Sequence, residues 1–288
     1  MLPTTFDFDS IWDYSNPQKT EDRFCEILLQ IPDSEPAFLE LLTQIARAQG
    51  LQRKFNKAHQ TLDQVEKRLG KVASREKVRY LLERGRVLNT SGKPDEARPC
   101  FEQALDIATK IGEDFYAVDA LHMLAIVAPP ASSLDLNLRA IQLAESSGQE
   151  KAHGWLGSLY NNTGWSLHDL GDYESALEIF QKAEAFFRSQ GREPQTRIAV
   201  WTVARCLRSL NRIEEALGIQ MKLKEEYEFA GGTDGYVFEE IGECLLALSR
   251  ADEAKPYFVH AYDELSKDEY LAEHEPERLK RLKELGNG

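Results

Sequence analysis

No run of apolar residues in this 288-residue chain is long enough to span a bilayer. Its start, MLPTTFDFDSIWDYS, has acids where an export signal needs a basic segment and then an apolar one. Membrane-spanning and secreted classes are set aside on these grounds, and the expected location is cytoplasmic. Cysteine is scarce: Cys25, Cys100, Cys206 and Cys244 stand alone, with no CxxC pair and no histidine cluster beside them. A disulfide framework and a structural metal site are both excluded, so no metal and no cofactor is expected. Cys206 and Cys244 read instead as small buried hydrophobes. Strand-like alternation is missing as well, which argues against an α/β domain.

Catalytic signatures are absent too. The six histidines are scattered, with no HExxH, and no GxSxG elbow is present. Gly92-Lys93 lacks the upstream glycine of a phosphate loop, since Val87 stands there. Carboxylates are plentiful, but no spacing singles out an acid/base pair. The chain is therefore read as a protein that is not an enzyme.

The net charge of −13 is one-sided. Between Glu225 and Glu277 there are 16 acids and 3 bases, so the rest of the chain is formally neutral. An acidic C-terminal third disfavours nucleic acid and anionic membrane as partners. It suits a basic segment of another protein, or serves only to keep the surface solvated.

What is present is a repeat. A small residue recurs at Ala46, Gly85, Ala125, Gly164, Ala204 and Gly242, and a second at Ala58, Ala97, Ser133, Ala176, Ala216 and Ala254. Five of these six pairs are twelve residues apart. Two further columns follow, Leu62, Phe101, Asn137, Phe180, Gln220 and Phe258, then Val65, Ala104, Ala140, Ala183, Leu223 and Ala261. Small residues at a fixed spacing on either side of a turn mark two helices that must nearly touch. Turns fall at Gly92-Lys93-Pro94-Asp95, Gly171-Asp172, Asn211-Arg212 and Ser249-Arg250, where glycine or asparagine ends one helix and an acid or proline begins the next. In the third copy the gap is eight residues and Ala128-Pro129-Pro130-Ala131 occupies the turn, so the first helix there must stop early.

This pattern resembles the tetratricopeptide repeat, from about Leu39 to Lys267. Copies here begin about 39 residues apart against the family's 34, similar to the longer repeats of kinesin light chains and bacterial peptide-sensing regulators. The opening WDYSNPQKTEDRF and the segment ELLTQIARAQGLQ also resemble stand-alone bacterial members of the family. The resemblance implies an all-α, right-handed α-solenoid of about six repeats with a capping helix at each end. The expected organisation is an N-terminal cap over 1–38, repeats at 39–72, 78–111, 118–147, 157–190, 197–230 and 235–268, and a C-terminal capping helix over 269–288. In the N-terminal cap Phe24, Ile27 and Leu28 form the apolar face. In the C-terminal one Leu279, Leu282 and Leu285 face the last repeat, with Arg278, Lys280, Arg281 and Lys283 in water.

In such stacks the first helix of each repeat lines a concave face, and the resemblance places Arg79, Arg86, Asn89, His122, Asn161, Asn162, Trp165, Trp201, Arg205 and Arg208 on it. Arg47 joins a basic entrance, and Tyr236, Glu239, Glu240 and Glu243 form an acidic exit. The paired asparagines suit an extended peptide backbone, the tryptophans suit apolar side chains, and Arg205 and Arg208 suit a ligand carboxylate. The carboxylate clamp that holds chaperone tails in this family is not matched: His122 and Ile126 stand where Lys and Asn belong, and Ile198 and Thr202 where Lys and Arg belong. The reading is a protein-interaction adaptor or scaffold that takes a protein or peptide partner in the groove. Two alternatives stay open: a peptide sensor acting by sequestration, since 38 residues before the first repeat are too few for an effector domain, and a self-assembling homo-oligomer.

Overall fold

The computed structural model describes residues 8–287; the portion of the N-terminal cap at positions 1–7, and position 288, lie outside the described residues. A short 3-10 turn, Phe8–Ile11, precedes α1 (Pro17–Leu28), α2 (Pro36–Leu51), α3 (Phe55–Glu66), α4 (Arg75–Thr90), α5 (Pro94–Ile111), α6 (Asp114–Val127), α7 (Pro130–Ser146) and α8 (Glu150–His153). Then come α9 (Leu156–Asp169), α10 (Tyr173–Ser189), α11 (Glu193–Ser209), α12 (Ile213–Phe229), α13 (Gly235–Ala247), α14 (Ala251–Leu265), α15 (Glu269–His274) and α16 (Pro276–Asn287). No strand occurs among the described residues, and no helix among them is long and apolar enough to cross a membrane. The chain divides into two compact units, Met1–Leu159 and Tyr160–Gly288, with the division inside α9. Each unit is an all-α, tetratricopeptide-like solenoid of packed helical hairpins. In the first, α1 lies against α2, and the hairpins are α2–α3, α4–α5 and α6–α7. In the second, α10 packs on α11, the hairpins α11–α12 and α13–α14 follow, and α16 closes the stack against α14.

The helix ends follow from backbone geometry. Gly92, Gly171, Asn211 and Ser249 take φ of 85°, 82°, 59° and 61°, the left-handed region, two residues past the end of a first helix. There the chain reverses, and the next N–H bonds back five residues: Lys93 to Leu88 O, Arg212 to Leu207 O and Arg250 to Leu245 O, each at 2.9 Å. Arg53 does the same after α2, with φ 59°, a position where sequence gives no turn signal. The third hairpin uses none of this: Ala128 is extended (ψ 153°), and Pro129 then leads directly into α7.

Packing inside the hairpins rests on a size match. Phe101, Phe180 and Phe258 are fully buried, and their rings lie directly against Gly85, Gly164 and Gly242. A Cβ on Gly242 would fall 2.8 Å from the Phe258 ring, and one on Gly85 or Gly164 would collide with its ring more severely still. In the alternate copies the small position is Ala46, Ala125 or Ala204, and the ring position holds Leu62, Asn137 or Gln220, all buried. Glycine thus accompanies phenylalanine, and alanine accompanies a thinner side chain.

The ends of the chain are capped differently from one another. Phe24 is fully buried, Ile27 and Leu28 are partly so, and Glu21 of α1 accepts from Gln49 (3.0 Å), Gln52 (2.8 Å) and Lys57 (2.6 Å). At the other end Leu279 and Leu282 are buried and Leu285 packs beside them. Arg278, expected in water, instead binds Glu239 and Glu275 and stacks on Tyr236. Its guanidinium is drawn inward because two carboxylates and a ring converge on it.

Two outcomes test this packing. Gly164→Ala is expected to cost about 1–3 kcal/mol through overpacking, although alanine is the better helix former by about 1 kcal/mol. Adding Phe180→Leu, which copies the Ala46–Leu62 combination, should recover much of that loss in urea denaturation. A Gly164→Ala protein as stable as its parent would remove the ring contact as the constraint. Burial pushes the thiols of Cys206 and Cys244 up to about 11 and about 12, so almost no thiolate exists at pH 8. Thiol labelling of the native protein at that pH should therefore stop at Cys25 and Cys100, and reach the other two only after unfolding.

Candidate functional site

The ten residues assigned to a groove from sequence fall four in the first unit and six in the second. In the first unit the arginines are not free. Arg79 is buried, donates to the Tyr116 hydroxyl at 2.6 Å, and lies 3.5 Å from both Glu40 and Asp9. Burial pushes the Tyr116 phenol up to about 12, so it stays protonated beside the guanidinium. Arg86 donates to Glu83 at 2.7 Å and to Asp119, and Arg47 reaches Glu83 at 3.5 Å. Burial opposes the charge on Arg86, but the two carboxylates outweigh it and hold the group protonated. The basic entrance read from sequence is thus neutralised from within. Asn89 is half-buried and makes no side-chain hydrogen bond among the described residues. His122 sits 5.2 Å from the Trp155 ring, and burial lowers its pKa, which keeps it neutral near pH 7.

The second unit repeats the device. Glu240 of α13 is buried and takes two hydrogen bonds from Arg208 (2.8 and 2.9 Å) and a contact at 3.1 Å from Arg205. Arg205 also donates to Ser209 Oγ at 2.7 Å. Glu239 is held by Arg278 of α16 at 2.6 Å, and Glu243 by Arg281. The acidic exit is therefore also internally neutralised, and the fork of Arg208 is already filled by a carboxylate. Arg278 follows Glu239 by 39 residues, the repeat length, so α16 stands where the first helix of another copy would. That register was the available signal for a role that sequence reading missed.

Between α9 and α11 the device stops. No ion pair joins these helices among the described residues. Asn161 and Asn162 of α9 are half-buried, and neither amide side chain makes a hydrogen bond among the described residues. Trp165, one turn on, rests on Phe180 (5.2 Å between centroids) and faces Trp201 of α11 at 6.4 Å. Trp201 donates its indole N–H to the Tyr236 carbonyl at 3.1 Å, and its ring lies 6.2 Å from that of Tyr236. Arg278 covers the far side of Tyr236 at 5.1 Å. Beside this aromatic row Ile198 stands 57% exposed. His168, below its ordinary pKa because of burial and the nearby Arg205, is neutral and contacts Ser209 Oγ at 2.9 Å. The result is an uncharged strip with two free amides, flanked on one side by locked charges.

Residues 78–110 and 152–185 match the family model of the tetratricopeptide repeat. Among solved structures, the apo form of RapI is similar, with a TM-score of 0.73 at 14% identity over 91% of this chain and 76% of that one. The tetratricopeptide-sensor signal transduction ATPase of Pyrococcus horikoshii gives a TM-score of 0.71 at 16% identity, over 92% of this chain and 41% of that one. NprR in complex with its cognate peptide NprX gives 0.52 at 13% identity, over 92% and 75%. No curated protein matches the sequence. Two segments of the chain thus match the tetratricopeptide repeat, and its fold is like that of these solved structures.

If the ion pairs are structural, removing their hub must be costly. Glu240→Ala leaves Arg205 and Arg208 without a carboxylate and is expected to destabilise by about 3 kcal/mol or more. Glu240→Ala with Arg208→Ala should lose less than the single variant, because one stranded charge is gone. A single-variant loss below about 0.5 kcal/mol in urea titration would show the pairs to be surface ornament.

Proposed function

We infer that the α9–α11 strip binds an extended segment of a partner protein or a peptide, and that the chain acts without catalysis as an adaptor. The observation that carries this reading is the pair of unpartnered amides at Asn161 and Asn162 beside Trp165 and Trp201. A side-chain amide offers one acceptor and two N–H donors, the complement of a peptide backbone. Half-buried amides with no internal partner are held out of helix-stabilising work, so a ligand that pairs them gains without breaking anything. The indoles offer flat apolar area, the kind of surface at which a single side chain contributes about 2 kcal/mol or more.

The chemistry of the ligand differs from the first expectation. Arg208 is spent on Glu240 and Arg205 shares that carboxylate, so capture of an acidic group by this pair is not favoured. A ligand with a free backbone edge and apolar or aromatic side chains suits the strip better. NprR, which shares the fold, was solved holding its cognate peptide, and that supports a peptide as the ligand class.

Selection of a random peptide library on the immobilised protein tests the reading. Peptides enriched on the parent are expected to lose about ten-fold in affinity for the Asn161→Ala, Asn162→Ala variant, equivalent to one or two net hydrogen bonds. Because these amides make no internal bond, the variant should unfold within about 0.5 kcal/mol of the parent. Equal affinity of selected peptides for both proteins would remove the strip as the binding site.

A further inference from the structure

The first-helix face of the first unit is already covered, and what covers it is part of the same chain. Residues 8–14, the 3-10 turn and the three residues after it, lie across α2 and α4 at the positions that line a tetratricopeptide groove. Trp12 donates its indole N–H to Gln44 Oε1 of α2 at 3.1 Å, and its ring stacks on Tyr14 at 4.9 Å with only 9° between planes. The guanidinium of Arg47 sits 5.6 Å from both rings. Asp9 reaches Arg79 of α4 at 3.5 Å and Lys151 of α8 at 3.3 Å, and Phe8 is buried. This is how a ligand is held: an acid on a cation, an indole on an amide, and an aromatic pair under a guanidinium.

We propose that residues 8–14 are a displaceable internal ligand, and that the face beneath them is a second groove for a partner protein's segment of the same chemistry. That chemistry is a carboxylate followed three residues on by an indole and two further on by another aromatic ring, as in Asp9, Trp12 and Tyr14.

Three observations support displacement over permanent burial. The arginines of the face keep carboxylate or hydroxyl partners without the segment: Arg79 retains Tyr116 and Glu40, Arg86 retains Glu83 and Asp119, and Arg47 retains Glu83. The segment is held at Phe8, which is buried, and at Asp13, which Thr20 binds, but Tyr14 is 60% exposed and the ion pairs of Asp9 are long, at 3.5 and 3.3 Å. Finally, α1 has anchors of its own besides its contacts with Trp12 and Asp13, because Glu21 binds Gln49, Gln52 and Lys57. Asn16 caps α1 by accepting from the Lys19 N–H at 3.0 Å, so the helix still begins in place when the preceding residues lift away. A cavity of about 530 Å³ adjoins Asp9 and Arg79, so the segment fills this face incompletely.

The test uses a fluorescein-labelled peptide, FDSIWDYS, with the sequence of residues 8–15, and reads anisotropy. Asp9→Asn with Trp12→Ala loosens the internal segment and is expected to bind the peptide at least ten-fold more tightly than the parent. Adding Arg47→Ala to that variant should return the affinity to the parent level or below. Failure of the loosened protein to bind, with its helical circular dichroism intact, would overturn the proposal, as would equal binding by parent and variant. Hydrogen exchange on the unaltered protein decides independently of any variant. Amides of residues 8–14 must exchange at least ten-fold faster than those of α2 and α4; exchange as slow as those helices would make the segment a permanent part of the core.

Discussion

Each hairpin depends on how closely its two helices approach, and that distance is set by one small residue and the side chain that meets it. Where the first helix carries glycine, a phenylalanine ring from the second lies directly on the backbone, as Phe180 does on Gly164. Where it carries alanine, the opposing position is thinner. Protein interiors have no slack to absorb a methyl group placed against an aromatic ring, so the two columns must change together. Their alternation through the chain, Ala with Leu62, Gly with Phe101, Ala with Asn137, Gly with Phe180, Ala with Gln220 and Gly with Phe258, records that constraint directly. Everything else about a hairpin, including which residues its first helix turns outward, follows from keeping this approach.

The outward faces are then governed by charge. Carboxylates and arginines on successive first helices find one another, from Glu40 and Arg79 in one unit to Glu239 and Arg278 in the other. Pairs of this kind are poor evidence of net stability, because desolvation offsets much of their attraction. They do fix register between neighbouring helices, and they remove charge from a surface that would otherwise attract ions at random. The step from α9 to α11 departs from this scheme, replacing ion pairs with amides and indoles, and that departure is what the proposed binding role rests on.

Much of this was legible in the sequence, for identifiable reasons. Gly92, Gly171 and Asn211 could be read as turns because a left-handed residue is a local requirement. The diproline at Pro129 and Pro130 could be read as a helix end because proline lacks an N–H. Asn161, Asn162, Trp165 and Trp201 could be assigned to the first-helix face because the resemblance to tetratricopeptide repeats implies which positions of that helix turn outward. The partners of the arginines could not be read. Arg86 meets Asp119 and Arg208 meets Glu240 across more than thirty residues, and which carboxylate lies within reach depends on side-chain paths that spacing does not encode. Residues 8–14 were illegible for another reason: they obey no period, and their contacts with Gln44, Arg47 and Arg79 depend on the folded chain.

The most direct measurement is a ¹⁵N–¹H correlation spectrum of the side-chain amides, with Asn161 and Asn162 assigned, recorded before and after adding a library-selected peptide. The account predicts that both NH₂ pairs exchange freely with water in the free protein, then shift and become protected in the complex. Shifts confined to residues of α1 to α8, with these two amides unmoved, would contradict it.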